Sequence, residues 1–258
     1  MATVSFFGLG ALGFDLAGRL AEAGHAVAVH DLSEARRSAW TQRFPAALHA
    51  SDGASFVITC VTDDVALRAL ALGEGRLVAR LAPGACLIDH TTAAPETARA
   101  MAAAAAARGA AALDAPVSGE PGRLSVMVGG DADVVMRARP LLATYAGHVE
   151  HLGGAGAGQL AKLANQVAIA GISRGLAEAI ALARAGGIDA AGLLRALGRG
   201  SACSVQLERL AERGLADDWR FEHTFGFLAK DLRLALAAAA PLGARLPLVE
   251  LVNRLLAR

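Results

Sequence analysis

Residues 4–13 read Val4-Ser5-Phe6-Phe7-Gly8-Leu9-Gly10-Ala11-Leu12-Gly13. A short apolar run enters a G-x-G-x-x-G, and residues 14–23 then carry a helical pattern that stops at Gly24. A strand–glycine turn–helix of this kind gives each glycine a task. Gly8 permits the tight turn, Gly10 lets backbone approach a pyrophosphate, and Gly13 lets the helix pack closely on the strand. The helix amino end, with Ala11 and Leu12 in its opening turn, then presents free N–H groups and a positive dipole to phosphate. A second strand over 26–29 ends in His30-Asp31, placing Asp31 23 residues beyond Gly8. A carboxylate there accepts both ribose hydroxyls of NAD and repels the 2′-phosphate of NADP. Arg36 and Arg37 follow and offer NADP a foothold, so NAD is expected and NADP is possible. A structural turn with a solvated Asp is the plainer alternative, and the surrounding strand and helix speak against it. Gly8, Leu9, Gly10, Ala11, Leu12, Gly13 and Asp31 form the expected cofactor cradle.

Outward from that turn the pattern repeats. Strand-like runs recur at 56–61, 86–88, 110–115, 124–128 and 148–152. A helix capped by Ser33, a helical stretch over about 65–81 and a helix opened by Pro95 and continued by the alanines of 102–107 separate the earlier ones. Such alternation predicts a Rossmann-type, doubly wound, mostly parallel sheet with helices on both faces. After the glycine-rich stretch 153–158 the strand signal stops, and helices are expected at 159–185, 190–197, 205–212, 225–240 and 247–257. The expected organisation is a dinucleotide-binding domain over 1–153 and a smaller all-α domain over 154–258.

Composition narrows the function. Lys+Arg 25 against Asp+Glu 24 leaves a net charge of +1, so no strong field gathers nucleic acid or an anionic membrane. The first fourteen residues are the longest charge-free run, short of a membrane span, and they lack the basic start and cleavage site of a signal peptide. Cys60, Cys86 and Cys203 lack metal-ligand spacing and read as reduced thiols, which suits the cytoplasm. No HExxH is present, and no metal is expected.

Four further motifs stand in order along the chain. They are Asp114-Ala115-Pro116-Val117-Ser118-Gly119, then Val126-Met127-Val128-Gly129-Gly130. Gly153-x-x-Gly156-x-Gly158-x-x-x-Lys162-x-x-Asn165-Gln166 follows, and Lys230-Asp231-Leu232-Arg233-Leu234-Ala235 comes last. With the amino-terminal glycine turn they resemble the β-hydroxyacid dehydrogenases, the family of 3-hydroxyisobutyrate dehydrogenase and tartronate semialdehyde reductase. The resemblance runs from about residue 4 to residue 255. It implies that Ser118 and the Gly119 amide hold a substrate carboxylate, that Lys162 is catalytic, and that Asn165 and Gln166 orient the substrate hydroxyl. It also implies that Lys230, with Asp231 beside it, reaches the cofactor. Thr92 then lies near the nicotinamide, and Val61 and Thr62 neighbour its ribose. It points finally to a homodimer or homotetramer formed through the helical domain.

The chemistry is coherent on its own terms. Oxidising an alcohol needs a hydride acceptor and a group that removes the hydroxyl proton, and a lysine serves when burial lowers its pKa. Lys162 and Gln166 are four apart, with Asn165 between them at three, so one helix face carries all three. The expected activity is hydride transfer between a nicotinamide cofactor and a small β-hydroxy acid. An NADP-dependent semialdehyde or imine reductase and a catalytically decayed dinucleotide-binding protein are the rival readings. Lys162 argues against imine reduction, and joint retention of Lys162, Asn165 and Lys230 argues against decay.

Two stretches depart from the family pattern. The loop after Ser118-Gly119 runs Glu120-Pro121-Gly122-Arg123, shorter by about five residues, with Glu120 where a glycine is usual. Arg123 reads either as an anion clamp replacing lost loop amides or as a solvated turn residue. Trp219, Phe221, His223, Phe225 and Phe227 gather before Lys230, as ordinary core or as an apolar wall of the substrate pocket.

Overall fold

The computed structural model describes residues 1–44, 53–73, 76–120, 122–214 and 222–256. The chain packs into two compact units, Met1–Lys162 and Leu163–Arg258. In the first, strands β1 (Thr3–Phe7), β2 (Ala26–His30), β3 (Phe56–Thr59), β4 (Cys86–Asp89) and β5 (Ala111–Asp114) pair in parallel in the order β2-β1-β3-β4-β5. The sheet continues through β7 (Leu124–Gly129), antiparallel to β5 and to the two-residue β6 (Val117–Ser118). Strand β8 (Ala146–Gly153) then pairs in parallel with β7. β3 and β4 are buried at every position, which explains why they read as unbroken apolar runs.

Side chains alternate between two cores. Val4, Phe6, Phe56, Ile58, Cys86 and Ile88 face one layer, shared with Leu16 and Leu20 of α1 (Ala11–Glu22), Trp40 of α2 (Glu34–Arg43) and Val135 and Leu142 of α5 (Ala132–Leu142). Val57, Leu87 and Ala112 face the other, with Leu67 of α3 (Asp64–Ala71) and Met101 of α4 (Pro95–Ala106). Helices on both faces of a mostly parallel sheet make the Rossmann-type fold that the alternation predicts. The stretch read as one helix over 65–81 is broken. α3 ends at Ala71, Gly73 takes φ +108°, and a separate 3-10 turn forms at Val78–Arg80. A left-handed glycine ends a helix that propensity alone would extend.

Among its described residues the second unit is helical: α6 (Ala157–Ala185, which begins in the first unit), α7 (Ala190–Leu197), α8 (Val205–Gly214), α9 (Glu222–Ala239) and α10 (Pro247–Leu256). Ala170, Leu228, Leu232, Val249 and Val252 form one core, and Leu176, Ile180, Leu194 and Leu207 another. By length and composition α6 is long and apolar enough to cross a membrane, although Lys162 and Arg174 interrupt its apolar run. Its Leu163, Ala170, Leu176 and Ile180 pack into these helical cores, and about a third of its most apolar window is buried. Trp219 and Phe221 lie outside the described residues, as do the side chains of His223, Phe225 and Phe227.

Candidate active site

The glycine turn is built by close approach. Gly8 takes φ +101° and donates its N–H to His30 O at 2.8 Å, and a Cβ there would stand 2.2 Å from Cys60 O. At Gly13 a Cβ would meet Gly8 O at 2.0 Å, so α1 leaves β1 with no room for a methyl. At Gly10 a Cβ would meet nothing within 4 Å, so that face of the turn is open. Helix α1 starts without a side-chain cap or a first-turn acid, whereas Ser33, Asp63, Asp131 and Asp189 cap four other helices. Open space beside Gly10, ahead of an uncapped helix start at Ala11, Leu12 and Gly13, fits a pyrophosphate.

Asp31 stands against this turn. Its Oδ2 accepts the Leu9 N–H at 2.7 Å and its Oδ1 accepts the Ser33 N–H at 2.8 Å. Arg36 lies 3.7 Å from Oδ2. Burial pushes the carboxyl up, but the Ser33 and Leu9 amides and the Arg36 guanidinium together hold it below the ordinary carboxylate range. An ionised acid at this point fits a ribose diol. The Arg37 guanidinium is turned elsewhere, to Asp31 O and the Glu34 carboxylate.

A row of polar side chains is buried at the carboxyl ends of β3, β4 and β5, where Thr59, Asp89 and Asp114 are register partners. Asp89 Oδ1 accepts from Thr59 Oγ1 at 2.7 Å and from Thr91 N at 3.1 Å, while Oδ2 has no hydrogen-bond partner among the described residues. Burial pushes its carboxyl up to about 7 against those hydrogen bonds. His90 joins Ala115 O at 2.6 Å through Nδ1 and Tyr145 Oη at 2.8 Å through Nε2, and burial brings it down to about 4. The imidazole is neutral, so Nδ1 donates to the carbonyl and Nε2 accepts the tyrosine proton.

The structure places each sequence-predicted residue as follows. Val61 donates its N–H to Thr91 Oγ1 at 3.1 Å, with the exposed Thr62 beside it. Thr92 is half-buried between Thr91 and Ala93. Lys162 is only 9% exposed and lies in the second turn of α6. That helix starts hard against the sheet, since a Cβ on Gly158 would stand 2.3 Å from Met127 O and 2.6 Å from Asp114 O. Ser118 pairs with Ser125 on β7, and the shortened loop closes as a turn with Arg123 N–H on Glu120 O at 2.9 Å. Gly122 of that turn lies beside the Arg19 guanidinium of α1, and the exposed Arg123 rests its backbone against Gly147. In the second unit, Gln166 Nε2 donates to Asp231 Oδ2 at 2.6 Å, and Lys230 Nζ pairs with Asp231 Oδ1 at 2.9 Å. Asn165 Nδ2 donates to Gln166 Oε1 at 3.2 Å, so the amide pair braces α6 to the buried Asp231.

Asp89, His90, Asp114, Tyr145 and Gln159 have no place in the sequence-derived site, yet they carry its buried hydrogen bonds. Asp89, His90 and Asp114 stand out as single polar residues at the ends of apolar strands and Gln159 as one inside an apolar helix start, but nothing local shows their partners or marks Tyr145.

Fold and cradle together define a two-domain dinucleotide-binding oxidoreductase. Residues 3–153 match the family described as the NAD binding domain of 6-phosphogluconate dehydrogenase. Residues 156–258 match the one described as the NAD-binding of NADP-dependent 3-hydroxyisobutyrate dehydrogenase. A 3-hydroxyisobutyrate dehydrogenase of Pseudomonas aeruginosa is 37% identical over 99% of this chain and 91% of its own. An NAD-dependent L-serine dehydrogenase of the same organism is 35% identical over 97% and 90%. The solved structure of Mycobacterium tuberculosis 3-hydroxyisobutyrate dehydrogenase with L-serine superposes with a TM-score of 0.86 at 29% identity, covering 100% of this chain and 93% of that one. The chain belongs to the β-hydroxyacid dehydrogenase family and is an NAD(P)-dependent 3-hydroxyacid dehydrogenase or reductase.

Proposed function

We propose that the chain oxidises a small 3-hydroxy carboxylate of the 3-hydroxyisobutyrate or L-serine type, with NAD as the preferred acceptor and Lys162 as the general acid/base. The observation that carries this reading is the ionised Asp31, tied to the glycine turn by the Leu9 amide and braced from its own loop by the Ser33 amide. A fixed negative charge there favours a ribose diol over a 2′-phosphate. NAD, when bound, supplies the hydride acceptor. The protein supplies the rest. The turn at Gly8–Gly13 and the start of α1 hold the pyrophosphate, Val61 and Thr62 neighbour the nicotinamide ribose, Thr92 lies near the nicotinamide, and Lys230, with Asp231 beside it, reaches the cofactor.

Lys162 takes the hydroxyl proton as the carbinol hydrogen leaves as hydride, and it returns a proton in the reverse direction. Ser118 and the Gly119 amide receive the substrate carboxylate. Arg123, at the end of the same short turn, adds positive charge rather than a direct grip. Asn165 orients the substrate hydroxyl, with Gln166 fixing the Asn165 amide. The exposed apolar residues Ile172, Leu182, Leu248 and Leu251 seat a second copy, giving a dimer or tetramer. Free thiols suit a cytoplasmic setting.

The test is initial-rate formation of reduced nicotinamide from 3-hydroxyisobutyrate and L-serine, with NAD and NADP in parallel. Turnover favouring NAD is expected. Turnover confined to NADP would overturn the reading of Asp31.

A further inference from the structure

Gln159 sits in the first turns of α6 and is fully buried. Its backbone N–H donates to Asp114 Oδ2 at 2.8 Å, its Nε2 donates to Thr91 O at 2.7 Å, and its Oε1 accepts the Ala93 N–H at 2.9 Å. The side chain therefore grips the backbone on both sides of Thr92 and leaves Thr92 itself between the two contacts. Thr91 is tied in turn to Val61 N through its hydroxyl and to Asp89 through its amide. Asp114 holds the start of α6 a second time, accepting the Gly156 N–H at 2.8 Å through Oδ1. Lys162 lies three residues after Gln159, on the same side of the helix.

We infer that Gln159 is a positioning residue for hydride transfer, because one buried amide fixes the Val61–Thr92 segment and the lysine-bearing helix in a single frame. This rests on Lys162 and Thr92 having the roles proposed above. A hydride moves only when donor carbon, acceptor carbon and proton acceptor are aligned together, and misplacement by about 1 Å costs about 100-fold in rate. A glutamine is the fitting residue, since one end must donate to a carbonyl while the other accepts from an amide. Glutamate offers no donor when ionised, and methionine matches the length but offers neither.

The experiment compares the wild-type chain with Gln159→Met, Gln159→Glu and Lys162→Ala, using L-serine and 3-hydroxyisobutyrate with NAD. Steady-state constants, the primary deuterium isotope effect and the fraction of folded protein are measured for each. Gln159→Met is expected to lower kcat about 10- to 100-fold per folded molecule. The fall in kcat should exceed any rise in the KM for NAD, and the isotope effect should be at least as large as in the wild type. Gln159→Glu should fall between the two. A kcat per folded molecule within about twofold of wild type in Gln159→Met, with Lys162→Ala inactive, would overturn the inference and leave the proposed function standing. An active Lys162→Ala would instead remove the proposed function. Amide hydrogen exchange, which needs no substrate, gives a second reading. Residues 91–93 and 156–159 should exchange at least about tenfold faster in Gln159→Met, and unchanged protection at 91–93 would overturn the frame.

Discussion

Replacing Asp89 by asparagine should change how stability depends on pH, and the neighbouring His90 sets the contrast. Asp89 is raised from an ordinary 3.8 to about 7, which corresponds to about 4 kcal/mol. His90 is lowered from 6.5 to about 4, which corresponds to about 3 kcal/mol. The signs oppose each other. Between about pH 4 and pH 7 the unfolded chain gives up the Asp89 proton while the folded chain keeps it, so this group reduces stability as pH rises. Over about pH 4 to 6.5 the unfolded chain binds a proton at His90 that the folded chain refuses, so that group increases stability as pH rises. In the wild type the two slopes largely cancel below about pH 6.5. The Asp89→Asn side chain keeps the acceptor that Thr59 and Thr91 use and removes the titration. The variant should therefore gain stability on going from about pH 4 to 6.5, and its difference from wild type should move in its favour by up to about 4 kcal/mol between about pH 4 and pH 8. Urea unfolding followed by far-ultraviolet circular dichroism, at four pH values across that range, measures the difference. Parallel curves for the two proteins would mean that Asp89 is ionised throughout, and the argument from burial would be wrong.

Other expectations follow from single positions. Gly10→Ala and Gly158→Ala should separate binding from stability: the methyl at Gly10 meets no protein atom within 4 Å, so it should leave the melting temperature nearly unchanged and weaken NAD at least about tenfold in a fluorescence titration. At Gly158 it meets two backbone oxygens at 2.3 and 2.6 Å, and a loss of about 3 kcal/mol is expected, only partly offset by about 1 kcal/mol of helix propensity. Asp31→Ser should weaken NAD by about 1.5–3 kcal/mol, the worth of a charged hydrogen bond, and bring the NADP affinity to or above it. Titration with a thiol reagent at mildly alkaline pH should find one fast cysteine, the exposed Cys203, because burial pushes Cys60 up to about 12 and Cys86 up to about 11. Fast labelling of all three would contradict those burials.

The fold was legible because the alternation of apolar runs and helical stretches in the first half has one economical arrangement, a parallel sheet covered on both faces. The glycine turn was legible for a similar reason: Gly8 and Gly13 are forced by backbone contacts at 2.2 and 2.0 Å, so their spacing carries the geometry directly. The end of α3 at Ala71 was not legible, since nothing local between Ala71 and Arg80 reveals which glycine turns left-handed. Nor was the buried frame of Asp89, Asp114 and Gln159. Its members lie as many as 68 residues from their partners, in Gln159 and Thr91, and only the sheet register brings them together. The same limit applies to Gln166. Helical spacing placed it beside Lys162 and Asn165, but the amide is held by Asp231, 65 residues away.

The most direct test of the central claim follows hydride transfer to NAD in a single turnover, for the wild-type protein and for Lys162→Ala. Both proteins should bind NAD with similar affinity, and the variant should lose about 100- to 10,000-fold in the rate of hydride transfer, the range for a missing general base. A variant that reduces NAD at the wild-type rate would contradict the assignment of Lys162 and, with it, the proposed chemistry of the site.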